Sequence, residues 1–85
     1  MRYGLNISRD AAKSLGAIQK RDRERIYERL EQLSADPFGM SGVKKLQGQD
    51  NYRLRVGDYR VLYLVENEDL VILVVAIGHR REIYR

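Results

Sequence analysis

The stretch Tyr52-Arg53-Leu54-Arg55-Val56-Gly57-Asp58-Tyr59-Arg60-Val61-Leu62-Tyr63 decides how the rest of the chain is read. Apolar and charged residues alternate on both sides of Gly57-Asp58, a two-residue turn signal, so the segment predicts a β-hairpin. Such a turn pairs Val56 with Tyr59, Arg55 with Arg60 and Arg53 with Leu62. Directly paired residues in an antiparallel ladder share a face, as do alternate residues along one strand. Arg53, Arg55 and Arg60 therefore project from one side of the sheet. Tyr52, Leu54, Val56, Tyr59, Val61 and Tyr63 project from the other, the natural seat for helices.

Downstream, a polar turn around Asn67 leads into Leu70 to Ile77, a β-branched run suited to a central strand. An even number of residues in that turn places Leu73, Val75, Ile77 and His79 on the Arg60 face, and an odd number with a bulge reverses the assignment. On the even register Leu62, Leu64, Val71 and Leu73 also lie beside the arginines. That much apolar surface next to a charged patch asks for a covering partner.

Upstream, Tyr3, Leu5 and Ile7 alternate as a short first strand. Ser8 reads as a helix N-cap with Asp10 in the first turn. Ala11, Ala12, Leu15, Ile18 and Gln19 keep helical spacing. After a break near Lys20-Arg21, Asp22 offers a second cap, and Ile26, Leu30 and Leu33 recur at i, i+4 and i+7. Asp36-Pro37 ends that helix, because proline disfavours helical geometry in the preceding residue. Val43 to Gln47 is compatible with one more strand, carrying Lys44 and Lys45. The order β-α-α-β-β-β, with room for one further strand, predicts an α+β domain: a small antiparallel sheet with an N-terminal helical hairpin on one face.

The 85 residues fit one domain, 1–85. The chain lacks cysteine and has a single histidine, so disulfides are excluded and a dedicated metal cage is not expected. Sixteen Lys and Arg against twelve Asp and Glu give a net charge of +4, which favours a polyanionic or acidic partner. No signal-peptide core or membrane-length apolar run is read, so a cytoplasmic protein without a membrane role is expected. Arginine far outnumbers lysine, and guanidinium suits bidentate phosphate contact. The charges of the second helix, Arg21, Arg23, Arg25 and Arg29 among Asp22, Glu24 and Glu28, read as a solvated face.

Three segments in order, Lys45-Leu46-Gln47-Gly48, the hairpin above, and Gly78-His79-Arg80-Arg81-Glu82-Ile83-Tyr84, resemble the RelE/ParE toxin superfamily across essentially the whole chain. The RelE branch is the more similar, because the basic strand pair and the terminal Arg-plus-Tyr are both present. The resemblance implies a RelE-like fold and a type II toxin–antitoxin toxin acting as a metal-independent, cofactor-free mRNA endoribonuclease at the ribosomal A site. It further implies a cognate antitoxin with a helical C-terminal segment, acidic to suit the charge here.

In this resemblance Arg60 matches the family's phosphate-contacting arginine. Arg80, with Arg81 as its alternative, matches the arginine after the last strand. Tyr84 matches a C-terminal tyrosine that stacks on a base or helps move a proton. Arg53 and Arg55 stand where two lysines are often found, and Lys44 and Lys45 precede them where some related toxins carry a carboxylate. Arginine cannot be deprotonated in a protein, so it cannot serve as a general base. His79 is therefore expected to carry one proton transfer, with Arg53, Arg55, Arg81, Lys44 and Lys45 holding phosphates. Two other readings stay open: a ParE-like gyrase poison on the same fold, and a binding module that grips RNA without cutting it.

Overall fold

The computed structural model describes residues 2–46 and 51–79. It contains β1 (Gly4–Ile7), α1 (Arg9–Gly16), α2 (Lys20–Ala35), β2 (Val43–Lys45), β3 (Asn51–Val56), β4 (Tyr59–Glu66) and β5 (Val71–His79). The strands form one sheet in the order β1-β5-β4-β3-β2. The α+β class holds, and the further strand is β2. The sheet is mixed rather than antiparallel, because β1 lies parallel to β5 (Gly4 opposite Val71, Ile7 opposite Val74). Turn chemistry reports only antiparallel neighbours, and β1 joins an edge that the meander β3-β4-β5 leaves free.

The hairpin register is as the sequence requires, with Val56 opposite Tyr59, Arg55 opposite Arg60 and Arg53 opposite Leu62. Gly57 takes φ 59°, a positive angle at the first central position that suits a type II′ turn. Helix-side side chains are buried: Leu54, Val56, Val61 and Tyr63 meet Ala11 and Leu15 of α1 and Ile26, Leu30 and Leu33 of α2. Each such leucine contributes roughly 1.5–3 kcal/mol of burial.

Ser8 caps α1, accepting from the Ala11 amide at 3.1 Å. The second helix begins two residues before the expected cap. Gln19 holds the N-cap position without a side-chain bond, and Asp22 lies in the first turn, where the helix dipole favours a carboxylate. At its other end Asp36 Oδ1 accepts the Gly39 amide at 2.9 Å. The Pro37 carbonyl accepts the Tyr63 hydroxyl at 2.7 Å. Burial, with Tyr52 and Asp36 nearby, pushes the Tyr63 phenol well above its ordinary value.

The four-residue turn Asn67 to Leu70 sets Glu66 opposite Val71 and Leu64 opposite Leu73, so Leu62, Leu64, Val71 and Leu73 do face away from the helices. Tyr63 then pairs with Val74 but Leu62 with Ala76, leaving Val75 as a β-bulge. Beyond it the faces exchange. Ile77 pairs with Val61 inside the core, Gly78 comes opposite Arg60, and His79 comes opposite Tyr59. Ile77 and His79 therefore lie on the helix side, not on the Arg60 face, because one extra residue reverses a period of two. The Ser8 hydroxyl donates to the Val75 carbonyl at 3.1 Å, so the helix cap also satisfies the bulge. Among the described residues no helix is long and apolar enough to cross a membrane.

Two stability effects follow. Ser8→Ala removes both the cap and the donor to Val75, and the expected loss is about 1–3 kcal/mol, read as a lower denaturant midpoint. Tyr63→Phe leaves the Pro37 carbonyl without its donor and costs about 1–2 kcal/mol at neutral pH. A phenol pKa raised by folding contributes stability below the ordinary value near 10.0 and loses it as pH rises above that value. Between about pH 10 and 11.5 the wild type should therefore lose more stability than Tyr63→Phe, as checked by denaturant titration at each pH.

Candidate functional site

On the outward face two rows of side chains run across the sheet near the Gly57-Asp58 turn. One carries Lys44, Arg53 and Leu62 on neighbouring strands, and the next carries Arg55, Arg60 and Gly78. Like charges directly opposite one another are destabilising, so the Arg55–Arg60 pair needs compensation. Part of it is visible. Arg60 Nη1 donates to the Gly57 carbonyl at 2.9 Å and to the Tyr59 carbonyl at 3.0 Å. Arg60 is only 9% exposed, whereas Arg55 is exposed and Arg53 half-buried. Gly78, which carries no side chain, stands opposite Arg60.

The two lysines separate. Lys44 pairs with Arg53 and shares its face, while Lys45 pairs with Tyr52 on the helix side. Both are exposed on the short strand β2. Lys45 thus does not join the arginine face, since alternate residues of a strand point oppositely. His79 sits edge-on to Tyr59, ring centroids 5.8 Å apart at 81°. It lines a groove of about 620 Å³ on the helix side, with Ile18, Asp22 and Tyr59 among its walls. Arg80, Arg81 and Tyr84 lie outside the described residues. Among the described residues no three His, Asp or Glu side chains gather as a metal site.

Sequence reading assigned Arg25 and Arg29 to a solvated face. Both turn toward the hairpin end and line a cleft of about 360 Å³ with Arg55. Their i, i+4 spacing, each one residue before a core position (Ile26, Leu30), was the available signal. It places them on the flank of the buried stripe rather than on the fully solvated side.

A family described as the ParE toxin of the type II toxin–antitoxin system parDE matches residues 5–84. A provisionally named RelE-like toxin protein of Escherichia coli is 34% identical, over 94% of this chain and 85% of its own length. The chain belongs to the RelE/ParE superfamily of type II toxins. The fold of this RelE-like toxin is similar to the RelE–RelB complex from Pyrococcus horikoshii, with a TM-score of 0.85, 34% identity and coverage of 94% and 97%. It is also similar to a free-state mutant of the Escherichia coli toxin RelE, with a TM-score of 0.83, 26% identity and coverage of 98% and 88%.

The separation of the two lysines is open to a charge-matched test on this RelE-like toxin. Lys44→Glu and Lys45→Glu change the net charge equally. Lys44→Glu should elute from heparin at clearly lower salt than Lys45→Glu, because only Lys44 sits among the arginines. Equal elution would mean that the polyanion ignores the face.

Proposed function

We propose that this toxin is an mRNA endoribonuclease working without a metal ion, at the ribosomal A site in the cytoplasm. One observation carries the reading: a guanidinium, that of Arg60, is fixed on two turn carbonyls within a face that also presents Arg53, Arg55 and Lys44. The RelE-named relatives support it.

In the proposed reaction the 2′-oxygen of one nucleotide attacks the adjacent phosphorus. The O2′–P bond forms, the P–O5′ bond breaks, the 2′-proton is lost and the departing 5′-oxygen gains one. The products are a 2′,3′-cyclic phosphate and a 5′-hydroxyl. Negative charge builds on the phosphoryl oxygens along the way, and cations already in position stabilise that state more than the ground state. Arg60 takes the central role, and Arg53, Arg55 and Lys44 hold the flanking phosphates. Of these four only Lys44 can exchange a proton, since guanidinium stays protonated. By resemblance Arg80 or Arg81 and Tyr84 complete the site. His79 is left out of the chemistry, because its ring faces Tyr59 across the sheet from Arg60.

The partner is an antitoxin, in keeping with the similar RelB–RelE antitoxin–toxin complex solved from Methanococcus jannaschii. Here the half-buried strip Leu62, Leu64, Val71 and Leu73 supplies apolar surface for it, and the net charge of +4 suits an acidic segment.

A second reading, inhibition of DNA gyrase, is favoured by the description of the matching family and by arginine at both strand positions of β3. Primer extension on translated mRNA beside a gyrase supercoiling assay separates the two. Arg60→Ala should slow cleavage by about 10²–10³-fold, the usual loss for one fixed transition-state donor. His79→Ala should stay within roughly threefold of wild type, well short of the 10²–10⁴ typical of an acid–base residue. A wild type that blocks supercoiling and leaves messages uncut would overturn the ribonuclease reading.

A further inference from the structure

The cleft between α2 and the β3–β4 turn has no part in the chemistry above, yet it is built from three arginines on two elements. Arg25 and Arg29 line it from α2 and Arg55 from β3, around a space of about 360 Å³; the Arg55 backbone borders Gly42 there, while its side chain belongs to the Arg60 face. Arg29 is already oriented, its guanidinium donating to Gln32 Oε1 at 2.8 Å and to the Ser41 carbonyl. Arg25 and Arg55 enter no ion pair among the described residues.

The backbone at the rim makes room for these groups. Gly57 and Gly42 have φ of 59° and 89°, conformations that side chains rarely adopt. A Cβ at Gly57 would stand 3.8 Å from Arg25 Nη1, and one at Gly42 would stand 3.8 Å from Arg29 Nη2 and 3.2 Å from the Arg55 carbonyl. Both guanidinium groups therefore lie against bare backbone.

We infer that this cleft is a second anion site, which takes a backbone phosphate of the RNA strand running away from the scissile position. The inference rests on the ribonuclease reading and extends it to the substrate outside the cut. Guanidinium forks match phosphate oxygens bidentately. Arg55 belongs both to this cleft and to the Arg60 face, so a strand crossing Arg60 reaches Arg25 and Arg29 without leaving charged surface. Opposing charges are few. Glu28 lines the cleft itself, and Asp22 and Asp58 flank Arg25 in an adjoining recess of about 190 Å³. Within the cleft itself the α2 arginines, Arg25 and Arg29, outnumber the one lining carboxylate, Glu28. An acidic protein segment would meet the same charges, but the apolar strip it would also need lies farther along the strands at Leu64 and Leu73.

The test uses a single-stranded 2′-O-methyl oligonucleotide, which binds without offering an attacking hydroxyl, and the salt dependence of its affinity. For single strands each phosphate contact contributes about −0.7 to the log–log slope. Arg25→Ala should make the slope shallower by about 0.7, and Arg25→Lys should largely restore it. Arg21→Ala, which removes the same charge from the same helix outside the cleft, should leave the slope as in wild type. Thermal melts confirm that the variants remain folded. An Arg25→Ala slope equal to that of Arg21→Ala overturns the inference. So does an Arg25→Ala variant that loses affinity for poly-glutamate alone, which would mark an acidic-peptide site. Cleavage of messenger is scored separately. Uncut messenger together with the expected change of slope refutes the ribonuclease reading and leaves the anion site standing.

Discussion

The Ser8 hydroxyl holds two things at once: it accepts the Ala11 amide that opens α1 and donates to the carbonyl of the bulged Val75. A bulge leaves one strand residue outside the ladder, and its polar groups must find partners elsewhere. Here the partner is the helix cap, so α1 is fastened to the one point in β5 where register changes. That change puts Ile77 into the core and a glycine opposite Arg60. Without it, Gly78 and Ile77 would exchange faces, and the core would lose the isoleucine side chain. The register of the charged face is thus set at the point where this helix cap meets β5.

Arg60 illustrates how a nearly buried charge is tolerated. Removing a guanidinium from water costs several kcal/mol unless polar groups replace the lost hydration. The Gly57 and Tyr59 carbonyls do so without neutralising it, since they are dipoles rather than carboxylates. Carbonyl anchoring removes rotational freedom, as a pre-organised anion site requires. The same turn that sets the Arg55–Arg60 register supplies these carbonyls.

The hairpin was legible because its residues alternate sharply and the turn carries glycine where positive φ is needed. Ser8, Asp36-Pro37 and the spacing of Ile26, Leu30 and Leu33 were legible for similar local reasons. The bulge was not. Val74, Val75 and Ala76 are all apolar, so no polar–apolar contrast marks the point where the faces exchange, and His79 followed the uninterrupted period onto the wrong side. The parallel sense of β1 is set by which sheet edge stays free, a tertiary property no short strand encodes. Lys44 and Lys45 read together as one basic pair, although adjacent strand residues cannot share a face. Arg25 and Arg29 were hidden by the acidic residues interleaved with them, which suggested solvent rather than the flank of a core.

Placing these arginines divides the outward surface by chemistry. Around the Gly57-Asp58 turn lie arginines of β3, β4 and α2. Farther along β4 and β5 the same face turns apolar at Leu64 and Leu73. A phosphodiester gains from the first region and nothing from the second, while a protein segment needs the second to bury enough area. Under the proposed ribonuclease function the two kinds of partner therefore begin on different ground. They compete only where a protein segment extends past Leu62 toward Arg53, the cross-strand pair at which the apolar strip meets the charge. Neutralisation of the toxin by an antitoxin would then depend on how far that segment reaches, rather than on whether it covers Arg60 at first contact.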